Sequence, residues 1–150
     1  MTLSHRARLG VLVFAVIAIA VGGCRSTGEP LGLLLRGTFV LRTANGGPLP
    51  ADVSTQPNYQ VTLLERTLQF DGQRLATMSQ TERVQGPTSP PTIEHSTANF
   101  RVRFAGETIY LKFLCPPNAN CTSNGESAGH LADANTFVLG DSQPWVYTRP

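Results

Sequence analysis

The stretch Asn99-Phe-Arg-Val-Arg-Phe-Ala-Gly-Glu-Thr-Ile-Tyr-Leu-Lys-Phe113 decides the fold. Apolar residues alternate with polar ones on both sides of a turn at 105–107; these apolar residues are Phe100, Val102, Phe104, Ile109, Leu111 and Phe113. A period of two is typical of a strand with one buried face, and a short turn that contains glycine joins two such strands into a hairpin. The stretch therefore predicts an antiparallel hairpin with one apolar and one polar face.

The same period recurs through most of the chain from residue 36 onward. It predicts further strands at 37–42, 59–63, 67–70, 74–83, 128–132, 136–139 and 145–149, with a bend at Glu65-Arg66, a tight turn at Asp71-Gly72 and a proline-rich loop at 84–91. About eight strands with short connections predict an all-β domain, namely an antiparallel up-and-down barrel, which buries one face of each strand and removes exposed edges. A two-sheet β-sandwich is the alternative. We expect side chains to fill most of the interior.

The N-terminal residues have the pattern of an export signal. Arg6 and Arg8 precede an apolar run from Leu9 to Val21, which is shorter than the roughly 20 residues of a spanning helix. The sequence Val21-Gly22-Gly23-Cys24 resembles the lipobox of bacterial lipoproteins, which implies that Cys24 is lipidated and becomes the mature N-terminus. We therefore expect a helical signal peptide at 1–23, the lipidated cysteine with a tether at 24–35 and the barrel at 36–150. Ordinary secretory cleavage after Gly23 and an uncleaved anchor are the alternatives.

The lipobox and the charge balance indicate where the protein acts. In lipoproteins of this kind an Asp directly after the cysteine retains the protein in the inner membrane, and this chain has Arg25 there. The resemblance thus implies a lipid anchor on the periplasmic face of the outer membrane. From residue 24 onward the chain holds 10 of its 12 basic residues and all 10 acidic ones, so this part is neutral. A neutral chain lacks the positive charge that binds nucleic acid, and that class of partner is excluded.

The cysteine count agrees with export. After Cys24 an even pair remains, Cys115 and Cys121, on either side of the turn-rich segment 116–120. We predict a disulfide between them, as is common in oxidising compartments. A zinc site that includes His130 is the alternative, but two cysteines and one histidine lack the paired spacing of structural zinc sites. Asn120-Cys121-Thr122 matches a glycosylation sequon, which we interpret as a chance match.

The segment Gly37-Thr-Phe-Val-Leu-Arg-Thr-Ala-Asn-Gly-Gly-Pro-Leu-Pro50 resembles the opening of uncharacterised bacterial lipoproteins with a lipocalin-like small barrel. Their Asp-Gly hairpin, two-cysteine loop and closing aromatic strand have counterparts at Asp71-Gly72, 115–121 and 145–149. Gly37-Thr38-Phe39 is similar to the Gly-x-Trp of lipocalins, and Arg149 lies near the place of the arginine that covers this aromatic residue. The resemblance implies a lipocalin-like barrel and defines no catalytic or ligand-binding residue.

Candidate catalytic groups are few. Ser127, His130 and Asp133 have the chemistry of a catalytic triad, but residues three apart on a strand point to opposite faces. We interpret them as a polar strand edge, and His95 beside Glu94 as a solvated strand start. No enzyme activity, cofactor or metal is therefore expected.

Surface charge is also open to two interpretations. The residues Arg101, Arg103, Tyr110 and Lys112 form either a positive strip for a polysaccharide or acidic headgroup, or an ordinary solvated face. The second interpretation is favoured.

The sequence as a whole predicts a non-enzymatic, membrane-anchored lipoprotein that binds a small apolar or amphipathic ligand or an envelope protein. A structural or inhibitory module that binds a protein or polysaccharide on its surface is the alternative, and a hydrolase is the weakest candidate.

Overall fold

A computed structural model of the chain describes residues 31–56, 58–121 and 125–150. The secondary structure consists of one short helix and ten strands: α1 (Leu31–Leu34), β1 (Gly37–Ala44), β2 (Gly47–Pro48), β3 (Ala51–Gln56), β4 (Tyr59–Phe70), β5 (Leu75–Gln85), β6 (Thr92–Ala105), β7 (Thr108–Leu114), β8 (Glu126–Asp133), β9 (Thr136–Leu139) and β10 (Trp145–Thr148). The predicted signal peptide, Cys24 and the first part of the tether lie outside the described residues.

The strands form an antiparallel sheet that closes on itself. Neighbouring strands pair in the order β2-β1-β10-β9-β8-β7-β6-β5-β4-β3, and an additional pairing of β1 with β4 closes the ring. Residues 37–40 of β1 pair with 67–70 of β4, which leaves β1 and β4 to diverge beyond that point. There β2 pairs with β1 and β3 pairs with β4, outside the closed ring. The predicted eight-stranded antiparallel up-and-down barrel is thus confirmed, with β2 and β3 as two extra strands.

The two ends of the barrel differ. The end that we call the turn end carries the short connections β4–β5, β6–β7 and β8–β9 together with α1. The opposite end, which we call the loop end, carries the connection from β1 to β4, the loops at 86–91 and 140–144, and the segment 115–125. The up-and-down order of the strands produces this segregation because every second connection lies at the same end.

The core fills the barrel from the turn end. Phe39, Phe70 and Phe137 contact one another edge to face, with ring centroids 5.5–6.3 Å apart. Leu35, from the segment that the sequence assigns to the tether, is only 1% exposed and packs in the same cluster. Edge-to-face geometry is the preferred arrangement of aromatic pairs, so the cluster of Phe39, Phe70 and Phe137, which we call the aromatic floor, is closely packed.

Arg149 seals the turn end. Its guanidinium lies over the ring of Phe39, with Cζ 4.5 Å from the ring centroid. It also donates hydrogen bonds to the backbone carbonyls of Ala134, Arg36 and Leu34. The aromatic–arginine contact predicted from the sequence is therefore present, and it joins β1, the chain that follows α1 and the β8–β9 turn.

Candidate functional site

Three polar side chains lie inside the barrel above the aromatic floor. Arg66 is on the same face of β4 as the buried Leu68, and Gln80 is its register partner on β5. Tyr147 projects from β10 and is 0% exposed. Because successive side chains of a strand alternate between faces, Arg66 and Gln80 point into the barrel at this level.

Arg66 is held against the single tryptophan of the chain. Its Cζ lies 4.2 Å from the centroid of the Trp145 ring, within the range of a cation–π contact. The indole Nε1 of Trp145 donates a hydrogen bond of 3.0 Å to Oδ1 of Asn45. Asn45 has a φ of 54° in the turn between β1 and β2, a conformation that asparagine tolerates better than most residues. The turn therefore positions the indole, and the indole positions the guanidinium.

The three interior groups leave hydrogen-bonding capacity unused. Arg66 Nε, Gln80 Oε1 and the Tyr147 hydroxyl are buried and have no hydrogen-bond partner. Burial raises the pKa of Tyr147, while the positive charge of Arg66 and a polar contact of the hydroxyl with the guanidinium act in the opposite direction, so the two side chains lie close together but without good hydrogen-bond geometry. A buried polar group without a partner costs about 1–3 kcal/mol, so a cluster of three marks a place where another polar group fits.

The interior toward the loop end is apolar and incompletely covered. Five side chains there are partly exposed: Met78, Phe100, Phe113, Leu139 and Trp145. Phe100 and Phe113 are register partners on β6 and β7, and their ring centroids lie 5.9 Å apart. In contrast, Phe39 and Phe137 at the turn end are 0% exposed. Phe104 and Leu131 at the turn end are also partly exposed, beside a cavity of about 530 Å³ that Leu31, Leu34 and Leu131 help to line. Partly exposed apolar surface therefore lies on both sides of the aromatic floor.

The predicted disulfide is present at the loop end. Cys115 and Cys121 are bonded to each other, with their Cα atoms 5.8 Å apart. The backbone N–H of Ala119 donates to the carbonyl of Pro116 and forms a turn between the cysteines. The zinc alternative loses both of its thiolates to this bond. Thr122 of the sequon and Cys24, the predicted lipidation site, lie outside the described residues.

The structure does not bring the triad candidates together. Ser127 pairs with Leu111 of β7 and His130 pairs with Val138 of β9, so their side chains belong to opposite faces of β8. Asp133 accepts the backbone N–H of Asn135 at 2.7 Å, which lowers the pKa of the Asp133 carboxyl. This carboxylate stabilises its own turn.

The positive strip consists of ordinary cross-strand pairs. Arg103 donates to Glu126 at 3.0 Å, and its guanidinium lies 4.0 Å from the ring centroid of Tyr110. The hydrogen bond raises the pKa of Arg103 and lowers the pKa of Glu126. The charge of Arg103 is therefore already paired. Arg101 and Lys112 are register partners, and both are exposed.

A shallow groove crosses the outer face of β4, β5 and β6. It has a volume of about 280 Å³, and the outward-facing residues that line it are Glu65, Thr67, Ser79, Thr81, His95 and Thr97. His95 lies in β6 rather than at a strand start, and its Nδ1 is 3.1 Å from the Thr81 hydroxyl. The groove is polar and open to solvent, and it contains no aromatic side chain.

Within residues 31–56, 58–121 and 125–150, no group of three or more His, Cys, Asp or Glu side chains is placed to hold a metal ion. In this part of the chain, no helix is long and apolar enough to cross a membrane.

Sequence reasoning missed the interior polar cluster. The pair Glu65-Arg66 predicted a bend, whereas β4 continues through it with a bulge between Leu63 and Glu65. The signal that identifies Arg66 is its phase, because it shares the period-two face of Leu68 and Phe70. A charged residue in the apolar phase of a strand points into the core.

Comparison with known proteins finds no matching family, curated protein or solved structure.

Proposed function

We propose that this chain is an exported, lipid-anchored envelope protein whose barrel binds a small amphipathic molecule at its loop end and catalyses no reaction. The observation that carries this proposal is the group of unpartnered polar atoms on Arg66, Gln80 and Tyr147 inside the barrel. Toward the loop end from this group, Phe100 and Phe113 are partly exposed, whereas Phe39 and Phe137 below it are 0% exposed. Apolar surface with a few convergent polar groups is typical of small-molecule sites.

The lipid anchor is proposed from the N-terminal sequence, and the position of α1 at the turn end is compatible with it. The lipobox at 21–24 supports lipidation of Cys24, and Arg25 supports export to the periplasmic face of the outer membrane. The predicted tether leads from Cys24 toward α1, which begins at Leu31. Because α1 lies at the turn end, such a tether would hold this end toward the membrane and direct the loop end away from it.

Native mass spectrometry of the full chain, released from mild detergent, tests the binding proposal. We expect an additional mass on the order of a few hundred daltons, which is the size of ligand that such sites hold. Ala98→Phe, on the inward face of β6, should reduce the occupancy. Thr97→Phe, at the next position on the outward face, is the matched control. A protein that carries only its own acyl chains in every preparation would contradict the proposal.

A second experiment tests the anchor independently of any ligand. The wild-type chain and Cys24→Ala are expressed in a bacterium with two membranes, and the mature protein is analysed by mass and by membrane fractionation. We expect a wild-type N-terminus at Cys24 with acyl groups attached, and an unlipidated Cys24→Ala chain. A wild-type protein with a free Cys24 thiol would refute lipidation.

The outer groove favours a second candidate function. Its hydroxyl groups and His95 offer hydrogen bonds to a polar polymer such as an envelope polysaccharide. We expect Thr97→Phe to lower retention of the protein on cell-wall material if this function holds, with Ala98→Phe as the inward-facing control. Equal retention of both variants and the wild type would remove this candidate.

A further inference from the structure

The barrel interior carries the positive charge of Arg66. Glu82 lies on the same face of β5 as Gln80, but within the described residues Arg66 forms no ion pair with it. The Arg66 side chain is partly exposed, and its Nε is buried. In the part of the chain that the structure describes, the ion pair that forms is Arg103–Glu126, on the outside of the barrel. A buried charge is costly unless it is paired. The interior therefore favours a guest that brings a negative charge.

The groups around Arg66 add donors suited to an anion. Tyr147 lies close enough to Arg66 for the guanidinium charge to act on its hydroxyl. Because burial raises its pKa, the hydroxyl keeps its proton and can donate a hydrogen bond. The Gln80 side chain lies across the strand pair from Arg66, and its unpartnered Oε1 can accept a hydrogen bond from a protonated oxygen of the head group.

The Trp145 contact orients the guanidinium. The indole covers the guanidinium at 4.2 Å and is itself fixed by Asn45. A guanidinium whose plane packs on an aromatic ring still has its N–H edge free to bind an acceptor. Arginine recognises carboxylate and phosphate groups through this edge, often with two hydrogen bonds.

We propose that Arg66, with Tyr147 and Gln80, binds the anionic head group of an amphipathic ligand whose apolar part lies against Phe100 and Phe113. This inference rests on the proposed ligand-binding function and adds the charge and orientation of the ligand. Carboxylate and phosphate monoester head groups both offer anionic oxygens that accept hydrogen bonds from a guanidinium.

Trp145 gives a direct readout because it is the single tryptophan of the chain and stacks on Arg66. The full chain is reconstituted in phosphatidylcholine vesicles and titrated with octanoate, octyl phosphate and octanol while tryptophan emission is recorded. We expect saturable changes with at least one anion, and binding of octanol that is about tenfold weaker or more. The tighter of the two anions identifies the head group.

Variants assign the effect to the interior cation. Arg66→Met should weaken binding of the anion about tenfold or more and leave octanol within about twofold, because it removes the guanidinium charge and its donors and keeps an apolar side chain of similar length against Trp145. Tyr147→Phe, which deletes one hydroxyl, should weaken anion binding by a smaller factor and provides the test if Arg66→Met does not fold. Arg83→Met removes an exposed arginine from the outer face of β5 and should bind like the wild type.

The outcomes separate this inference from the function on which it rests. Equal affinity for octanoate, octyl phosphate and octanol, unchanged in Arg66→Met and Tyr147→Phe, would overturn the anion site and leave ligand binding intact. No response to any of the three compounds would overturn both. Loss of anion binding in Arg83→Met to the same extent as in Arg66→Met would show a nonspecific charge effect and would also overturn the anion site.

Discussion

The substitution Arg149→Met should destabilise the barrel by opening its turn end. Arg149 donates to the Ala134 carbonyl at 3.0 Å, to the Arg36 carbonyl at 2.8 Å and to the Leu34 carbonyl, and it covers the Phe39 ring. Methionine keeps most of the apolar stem but removes all four interactions.

The expected loss follows from these contacts. A hydrogen bond from a charged donor contributes about 1.5–3 kcal/mol when it is well buried, and the cation–π contact contributes about 0.5–1 kcal/mol. Two of the three hydrogen bonds to carbonyls lie in exposed surroundings, where water replaces the lost donor. We therefore expect the free energy of unfolding to fall by about 3 kcal/mol.

Urea denaturation followed by Trp145 emission measures this loss, with the free energy obtained by linear extrapolation. Hydrogen exchange adds a local readout, because Arg149 holds the carbonyls on both sides of Leu35, whose N–H donates to the Leu31 carbonyl. The Leu35 amide should lose protection in Arg149→Met. Arg83→Met is the exposed control. A loss below about 0.5 kcal/mol, or an equal loss in the control, would refute the reasoning.

Three further predictions concern the stability of the fold. Gly129→Ala should lower the free energy of unfolding by about 3 kcal/mol or more, because a Cβ at this position would lie 2.5 Å from the Val138 carbonyl oxygen. The control is Gly125→Ala, whose Cβ meets nothing within 4 Å and which should be neutral in urea denaturation. Reduction of the disulfide should lower the urea midpoint by an amount equivalent to about 2 kcal/mol, and an unchanged midpoint would show that the bond does not stabilise the fold. The Asp71 carboxylate accepts two backbone N–H groups, which lower its pKa. Its contribution to stability is therefore present above the unfolded pKa of about 3.9 and is lost as the pH falls through the folded pKa. Asp71→Asn should for this reason make acid unfolding less steep.

The barrel could be predicted because alternation and turn signals agree along most of its strands. The hairpin of β6 and β7, the strand β1 and the turn at Asp71-Gly72 all carry both signals. Strand β3 was missed because Ala51-Asp-Val-Ser-Thr-Gln56 is short and mostly polar. The first half of β6 was missed for the same reason, since Thr92 to Thr97 has few apolar residues and gains its order from pairing with β5. Long-range pairing overrides weak local preference in these strands.

The candidate site was harder to predict than the fold. The disulfide and the contact of Arg149 with Phe39 were accessible from spacing and resemblance. The interior cluster was not, because Tyr147 on β10 meets the β4–β5 pair of Arg66 and Gln80 only through closure of the barrel. Which polar side chains lack partners depends on the packing of the interior, and the local sequence does not determine this. The phase of Arg66 on its strand was the one local signal.

The central claim is that the barrel binds an anionic amphipathic molecule with its head group at Arg66. A crystal structure of the protein with octanoate or octyl phosphate tests it most directly. The account predicts an anionic oxygen within about 3 Å of Arg66 Nε, with the alkyl chain against Phe100 and Phe113. An anion bound only to exposed arginines such as Arg101, with the Arg66 side chain packed as it is without ligand, would contradict it.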